Sequence, residues 1–180
     1  MTSEGSGQPG MERLWAGWRS AYVVEAADGG MGADAPGGSV FTRLLASGRP
    51  DSEINVVHRG ERVFVILNTY PYTTGHVMVM PYREVADLED LTPDEAAELW
   101  ATVVDAVRAL KAAYQPHGVN VGINLGEAAG AGVSGHLHVH VLPRWNADSN
   151  FMTAVAETRV LPEDLPTTWA KLRAVWPPSD

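Results

Sequence analysis

Three histidines recur at every second position in Gly135-His136-Leu137-His138-Val139-His140-Val141-Leu142. Strand side chains alternate between faces. This spacing therefore lines His136, His138 and His140 along one face, with Leu137, Val139 and Val141 behind them. With six His in 180 residues, chance gives this spacing in roughly 0.7% of chains, so it is treated as a motif. Imidazole titrates near pH ~6.5, so much of it is neutral at pH 7. A neutral ring nitrogen attacks phosphorus when the other nitrogen keeps its proton on an acceptor. Flanking imidazoles and N–H groups then stabilise the phosphate oxygens as charge shifts. Two other readings share the pattern. One is a solvated edge strand or His ladder; the other is a metal site, since His-x-His on a strand also ligates metals. The chain has no Cys and offers no obvious further carboxylate ligand, which weighs against a metal.

Composition narrows the partners. The missing Cys excludes a disulfide scaffold, thiolate zinc sites, iron–sulfur clusters and a Cys nucleophile. A net charge of −9 and a pI near 5.0 argue against a nucleic-acid or anionic-membrane surface, which needs a basic stripe. A compact site for a small anion needs only a few local donors. The start, Met1 to Gly10, has neither a basic nor an apolar leader segment. The longest apolar runs, Val63–Leu67 and Val77–Pro81, fall far short of the ~20 residues that span a bilayer. The expectation is a cytoplasmic protein without membrane or nucleic-acid partners.

The elements that must position the histidines follow from periodicity. Residues 1–38 read as an arm rich in Gly, Ser and Pro, carrying the aromatic stretch Trp15–Tyr22; residues 39–180 read as one domain. Val40–Ala46 suits a short helix. Ile54–His58, Val63–Asn68 and His76–Pro81 read as strands. Thr92-Pro93-Asp94-Glu95 is a helix start with N-cap, Pro and capping box, and Gly118 is expected to end that helix. Val119–Leu125 alternates, with Val119, Val121, Ile123 and Leu125 on an apolar face and Asn120, Gly122 and Asn124 on a polar one. Strand His136–Leu142 and a closing helix Pro166–Trp176 complete the chain. Hairpins around one long helix indicate an α+β domain with an antiparallel sheet of about five strands. The string Gly130-Ala131-Gly132-Val133-Ser134-Gly135 matches G-x-G-x-x-G, but a His strand follows it instead of a helix, so a dinucleotide fold is rejected. Its backbone N–H groups and the Ser134 hydroxyl still suit a phosphate cradle. Trp145 and Phe151 are read as packing aromatics, and His58 and His117 as surface or packing residues.

His-apolar-His-apolar-His-apolar-apolar resembles the histidine triad (HIT) superfamily of nucleotide hydrolases and transferases. Asn68 to Pro81, with its Gly75-His76, and Asn124 to Gly130 resemble the family's flanking segments, so the likeness covers roughly residues 38–160. The start around Arg13-Leu14-Trp15 and Pro143–Met152 are similar to an actinobacterial branch of diadenosine tetraphosphate phosphorylases. The resemblance implies a HIT-like fold with one long and one C-terminal helix. It implies His138 as nucleophile, oriented by the His136 carbonyl, with His140 on the α-phosphate or leaving group. It places Asn68 on a ribose hydroxyl, His76 as a supporting histidine and Asn124 on phosphates; residues 130–134 are read as nucleotide-binding from the loop itself. The implied reaction is phosphorolysis of diadenosine tetraphosphate to ATP and ADP through adenylyl-histidine. The alternatives are hydrolysis of dinucleoside polyphosphates or nucleoside phosphoramidates, and a nucleotide-binding interaction protein with vestigial catalysis. No cofactor is firmly implied, though a divalent cation can accompany the polyphosphate; inorganic phosphate and a second subunit, giving a homodimer, are the implied partners. Some relatives carry a zinc-binding Cys-x-x-Cys where this chain has Ser39-Val40-Phe41-Thr42, so that zinc site is expected to be lost.

Overall fold

The computed structural model describes residues 38–148 and 161–178. The aromatic stretch Trp15–Tyr22, and Phe151 and Met152, lie outside these described residues. Strands β1 (Val56–Arg59), β2 (Val63–Leu67) and β3 (Val77–Pro81) are followed by helix α2 (Pro93–Tyr114), β4 (Gly118–Ile123) and β5 (Val139–Arg144). Helix α1 (Val40–Leu45) precedes them and α3 (Leu165–Val175) closes the domain. The strands form one antiparallel sheet in the order β1-β2-β3-β5-β4. Among the described residues no helix is long and apolar enough to cross a membrane.

Both faces of the central strands are covered. The continuous apolar runs of β2 and β3 are buried throughout, as a strand sandwiched between two layers requires. Val65, Leu67, Val77, Val79, Val139 and Val141 pack against Leu99, Val103, Ala106 and Leu110 of α2 and Leu172 of α3. On the other face Phe64, Ile66, Met78 and Met80 meet Phe41, Leu44 and Leu45 of α1. The histidine strand crosses between these two layers.

The capping box is present at the start of α2. The Thr92 hydroxyl accepts from the Glu95 N–H, and Glu95 accepts from the Thr92 N–H. Such a cap stabilises a helix by about 1 kcal/mol. Arg83 also donates twice to Glu95, at 2.9 and 2.6 Å, and that pairing holds the carboxyl at about 2. Helix α2 ends earlier than expected, on Gln115 in the left-handed region (φ 46°). Pro116 explains this, because a residue before proline is pushed out of the helical region; Gly118 opens β4 instead.

The two sheet edges differ. Along β1, Trp169 and Arg173 of α3 donate to the carbonyls of Val56 and Val57, at 2.7 and 3.0 Å. Along β4, Val119 and Ile123 are half-buried, but Val121 is 44% exposed. Leu125, expected on the same face, lies beyond β4 and is 38% exposed, so among the described residues that face is only partly covered.

Candidate active site

The histidine strand departs from the expected span at both ends: it runs on to Arg144 instead of stopping at Leu142, and its start is shifted. Regular pairing begins only at Val139, where β5 meets Val79 of β3. His136 and His138 lie just ahead of the ladder. Pro81 has no N–H to offer there, and its carbonyl is occupied by a side chain, the His136 ring, at 2.7 Å. The Leu137 N–H turns instead to the Val85 carbonyl at 2.6 Å. The segment nevertheless keeps strand alternation. Leu137, Val139 and Val141 enter the helix-side core, while His136, His138 and His140 are 0, 6 and 8% exposed among the groups of the opposite face.

Hydrogen bonds fix the proton positions on four imidazoles. His138 Nδ1 donates to the His136 carbonyl at 2.8 Å, because a carbonyl can only accept. The lone pair of neutral His138 therefore sits on Nε2. His136 Nε2 likewise donates to Pro81, so its neutral Nδ1 accepts from the Ser39 hydroxyl at 2.7 Å. His76 Nδ1 receives the Tyr72 N–H at 3.1 Å, with the Asn68 amide nitrogen at 3.4 Å. His76 Nε2 then donates to His140 Nδ1 at 2.9 Å, which leaves the proton of neutral His140 on Nε2. The assembly sets the lone pair of His138 Nε2 beside the His140 ring. The His138 and His140 rings stand edge to face, 4.9 Å between centroids.

Burial favours the neutral forms. Desolvation pulls His138 below its ordinary value, against the opposing pull of its hydrogen bond to His136. His136 is also lowered, first by desolvation; the Pro81 hydrogen bond and the Glu84 charge oppose this, and nearby His138 adds to it. Phe41 of α1 lies against both rings, 5.7 Å from His136 and 6.3 Å from His138.

The remaining sequence candidates fall into two groups. Gly75 and His76 join the triad directly. Gly75 adopts φ +82°, and a Cβ there would stand 3.0 Å from Tyr114 and 3.1 Å from Leu110, so only glycine delivers His76 into this position. Asn68 is committed locally: its side-chain oxygen accepts from the Tyr70 N–H at 2.9 Å, and its amide nitrogen faces His76. Asn124 follows β4 and is half-buried. Gly122 pairs with His140, and a Cβ on it would meet nothing within 4 Å among the described residues. In the loop, Gly130 takes φ +94°, Val133 is buried, and Ala131, Gly132 and Ser134 are partly covered. The His136 N–H donates to the Val133 carbonyl at 3.3 Å, which ties the loop to the first triad residue.

Sequence reasoning missed Tyr72, Glu84 and the hydroxyls that reach His136. Ser39 is 45 residues from Glu84 and 97 from His136, so no local pattern links them. The Ser39–Thr42 stretch was legible only as a place where thiolates are missing. Its donor set does not fit the zinc site of those relatives. It offers two hydroxyls, and both ring nitrogens of His136 are already engaged. Among the described residues no three His, Asp or Glu converge to hold an ion.

A family model for the HIT domain matches residues 49–147. An AP-4-A phosphorylase from Mycobacterium tuberculosis is 44% identical over 92% of this chain and 85% of its own length. The asymmetrical bis(5'-nucleosyl)-tetraphosphatase of Schizosaccharomyces pombe is 37% identical over 52% of this chain and 50% of its own. Among solved structures, a zinc-bound histidine triad family protein from Mycobacterium smegmatis superposes with a TM-score of 0.62. It is 30% identical, covering 76% of this chain and 91% of that one.

Proposed function

This chain belongs to the HIT domain family, and from that premise we propose that it cleaves diadenosine tetraphosphate by phosphorolysis, giving ATP and ADP. The observation that carries this reading is the His138 Nδ1–H bond to the His136 carbonyl, which leaves the Nε2 lone pair for attack. In the first step the bond from Nε2 to the α-phosphorus forms. The bond from that phosphorus to the bridging oxygen breaks, and ATP leaves with the electron pair. His138 becomes cationic as it bonds, and the His136 carbonyl stabilises the retained Nδ1 proton. His140 meets the α-phosphate or the leaving group. Inorganic phosphate then attacks the adenylyl group, the phosphorus–nitrogen bond breaks, and ADP is released with His138 restored.

The choice of phosphate over water rests on likeness to the mycobacterial phosphorylase. The yeast relative named as a tetraphosphatase supports the hydrolytic alternative. The test is incubation with diadenosine tetraphosphate, with and without phosphate, followed by separation of AMP, ADP and ATP. Phosphate-dependent ADP is expected. AMP formed regardless of phosphate leaves the hydrolase, and no turnover leaves a nucleotide-binding interaction protein.

The same reading takes residues 39–180 as the catalytic domain, 1–38 as an arm, and the cytoplasm as location. Asn68 and Asn124 would face the ribose and phosphates, and residues 130–134 would line the nucleotide. A divalent cation travelling with the polyphosphate would ease the approach of an anion to a chain of net charge −9. A second copy is the proposed partner at β4. Among the described residues no strand pairs with that edge. Val121 pairs with Val141, whose side chain is in the helix-side core; Trp100 and Val104 of α2 are also exposed on that side, at 47 and 48%. An uncovered apolar edge invites strand pairing. Sedimentation should give a dimer, and Val121→Glu a monomer; a wild-type monomer removes the proposal.

A further inference from the structure

His136 is the triad member that the proposed chemistry uses only through its backbone, yet its ring is the most completely held. It is fully buried, and both nitrogens are bonded, to Pro81 and to Ser39. Ser39 is equally buried and spends every polar group it has. Its hydroxyl meets His136, its N–H donates to Glu84 Oε1 at 2.8 Å, and its carbonyl accepts from Arg43 N at 3.1 Å. The Thr42 hydroxyl donates to the same Glu84 oxygen. Thr42 and Ser39 also touch through the Thr42 N–H and between their hydroxyls, each at 3.3 Å.

The backbone is shaped to receive the carboxylate. Gly38 adopts φ +85°, and a Cβ on it would overlap Glu84 Oε1. Glycine at 38 therefore does two things: it turns the chain into α1, and it leaves room for the Glu84 head. Burial works to raise the Glu84 carboxyl, but the Thr42 and Ser39 hydrogen bonds, helped by the Arg43 charge, outweigh it, and the net direction is downward. The acceptor at the end of the chain is thus a carboxylate.

We propose that Ser39, Thr42 and Glu84 are positioning residues that hold His136 in its Nε2–H tautomer and so aim His138, forming a hydrogen-bonded clip. The clip acts in one direction through the fold. Glu84, at the end of the β3 loop, fixes Thr42 and Ser39 at the N-terminus of α1. Ser39 and Pro81 then pin the two ends of the His136 ring. A ring pinned at both ends fixes the peptide that follows, and its carbonyl holds His138 Nδ1. Removing the Ser39 hydroxyl leaves a buried Nδ1 unpartnered. The ring regains a partner only by shifting its proton or rotating, and either change releases the Pro81 bond.

This proposal rests on the reading of His138 as nucleophile, and the experiment separates the two. kcat and KM for diadenosine tetraphosphate are measured for wild type, Ser39→Ala, Glu84→Ala, Glu84→Gln and His138→Ala. The ring 15N and 1H signals of His136 are recorded for each. Ser39→Ala and Glu84→Ala should lower kcat by about tenfold to a hundredfold, as sub-ångström misplacement of a reacting group does, with KM within about twofold. The His136 Nε2–H signal should be lost or split. Glu84→Gln keeps both accepted hydrogen bonds, so it should restore most of the kcat and the single signal. The Glu84 variants carry the test if Ser39→Ala fails to fold, because Glu84 is only partly covered. Wild-type kcat in the alanine variants overturns the proposal, as does lost kcat with an unchanged His136 signal. Stoichiometric zinc in the wild-type protein, whose chelation abolishes that signal, overturns it as well. His138→Ala with undiminished turnover fells the nucleophile reading instead, while the His136 signal still decides whether the clip exists.

Discussion

On the helical face of the sheet, Val65, Val79, Val139 and Val141 meet Leu99, Val103 and Leu110, carbon against carbon. On the opposite face His76, His136, His138 and His140 are just as buried, but each is fixed by a hydrogen bond of defined direction. The same strands supply both sets through alternation alone. Apolar contacts are non-directional, and a side chain of similar volume can replace another at modest cost. A buried imidazole must instead find a partner for each nitrogen, and a change to one partner propagates to the next ring. The helical face therefore carries stability that tolerates substitution, while the triad face carries geometry that does not.

The strongest attempt to break this division is His138→Ala. If the triad face carries the chemistry, turnover should fall on the order of 10⁴-fold or more, as loss of a nucleophile does. Thermal unfolding should move by only a few degrees, because the helix-side core is untouched. A drop of only a few fold would take His138 out of the central role.

The converse is Leu110→Ala. Leu110 is 1% exposed, and truncation of such a leucine destabilises by about 2–5 kcal/mol. Urea titration should show that loss, while kcat per folded molecule stays at the wild-type value. Altered kcat with intact fold would show that the two faces are coupled.

Sequence and structure agree most closely where a feature is local. The capping box at Thr92 and Glu95 is read within four residues, and alternation put Leu137, Val139 and Val141 in the core. What the spacing of the histidines does not contain is where the ladder starts, because that depends on Pro81, 55 residues away from His136. The clip at Ser39 and Glu84 was invisible for the same reason. β4 shows a different limit. Its alternation identified an apolar face correctly, but alternation cannot tell whether that face is covered by the same chain.

A smaller effect sharpens the comparison within the triad face. His76→Phe keeps a ring at a fully buried position while removing the Nε2–H that fixes His140. kcat should fall roughly tenfold with KM little changed, since in the proposed mechanism the contact of His140 with the reacting phosphate would lose its orientation. Steady-state kinetics at saturating substrate measures this. A changed KM with unchanged kcat would place His76 in substrate binding.

The two faces should also come apart on acidification, and here the sign decides the test. His136 and His138 are held below their ordinary value by burial. Above about pH 6.5 they are neutral in both the folded and the unfolded chain, and their stabilising contribution is fully present. As pH falls below about 6.5, the unfolded chain binds protons first, and stability drops by up to about 1.4 kcal/mol per pH unit for each histidine. The loss continues until the folded-state values are passed. Glu95, on the helical side, is held at about 2 through its Arg83 pairing. Its contribution is complete above about pH 4.5 and disappears only as pH falls towards about 2. Stability measured by urea titration should therefore decline first in a window owned by the triad face. His58 also belongs in that window: burial lowers it, Arg173 adds to this, and Asp105 and Glu98 oppose it. It stacks on Trp176 at the helical side, so His58→Gln serves as the control. Replacing His138 should flatten the decline between about pH 6.5 and 5 more than replacing His58, which is less buried. Equal flattening by the two variants would mean that the acid sensitivity is not a property of the triad face.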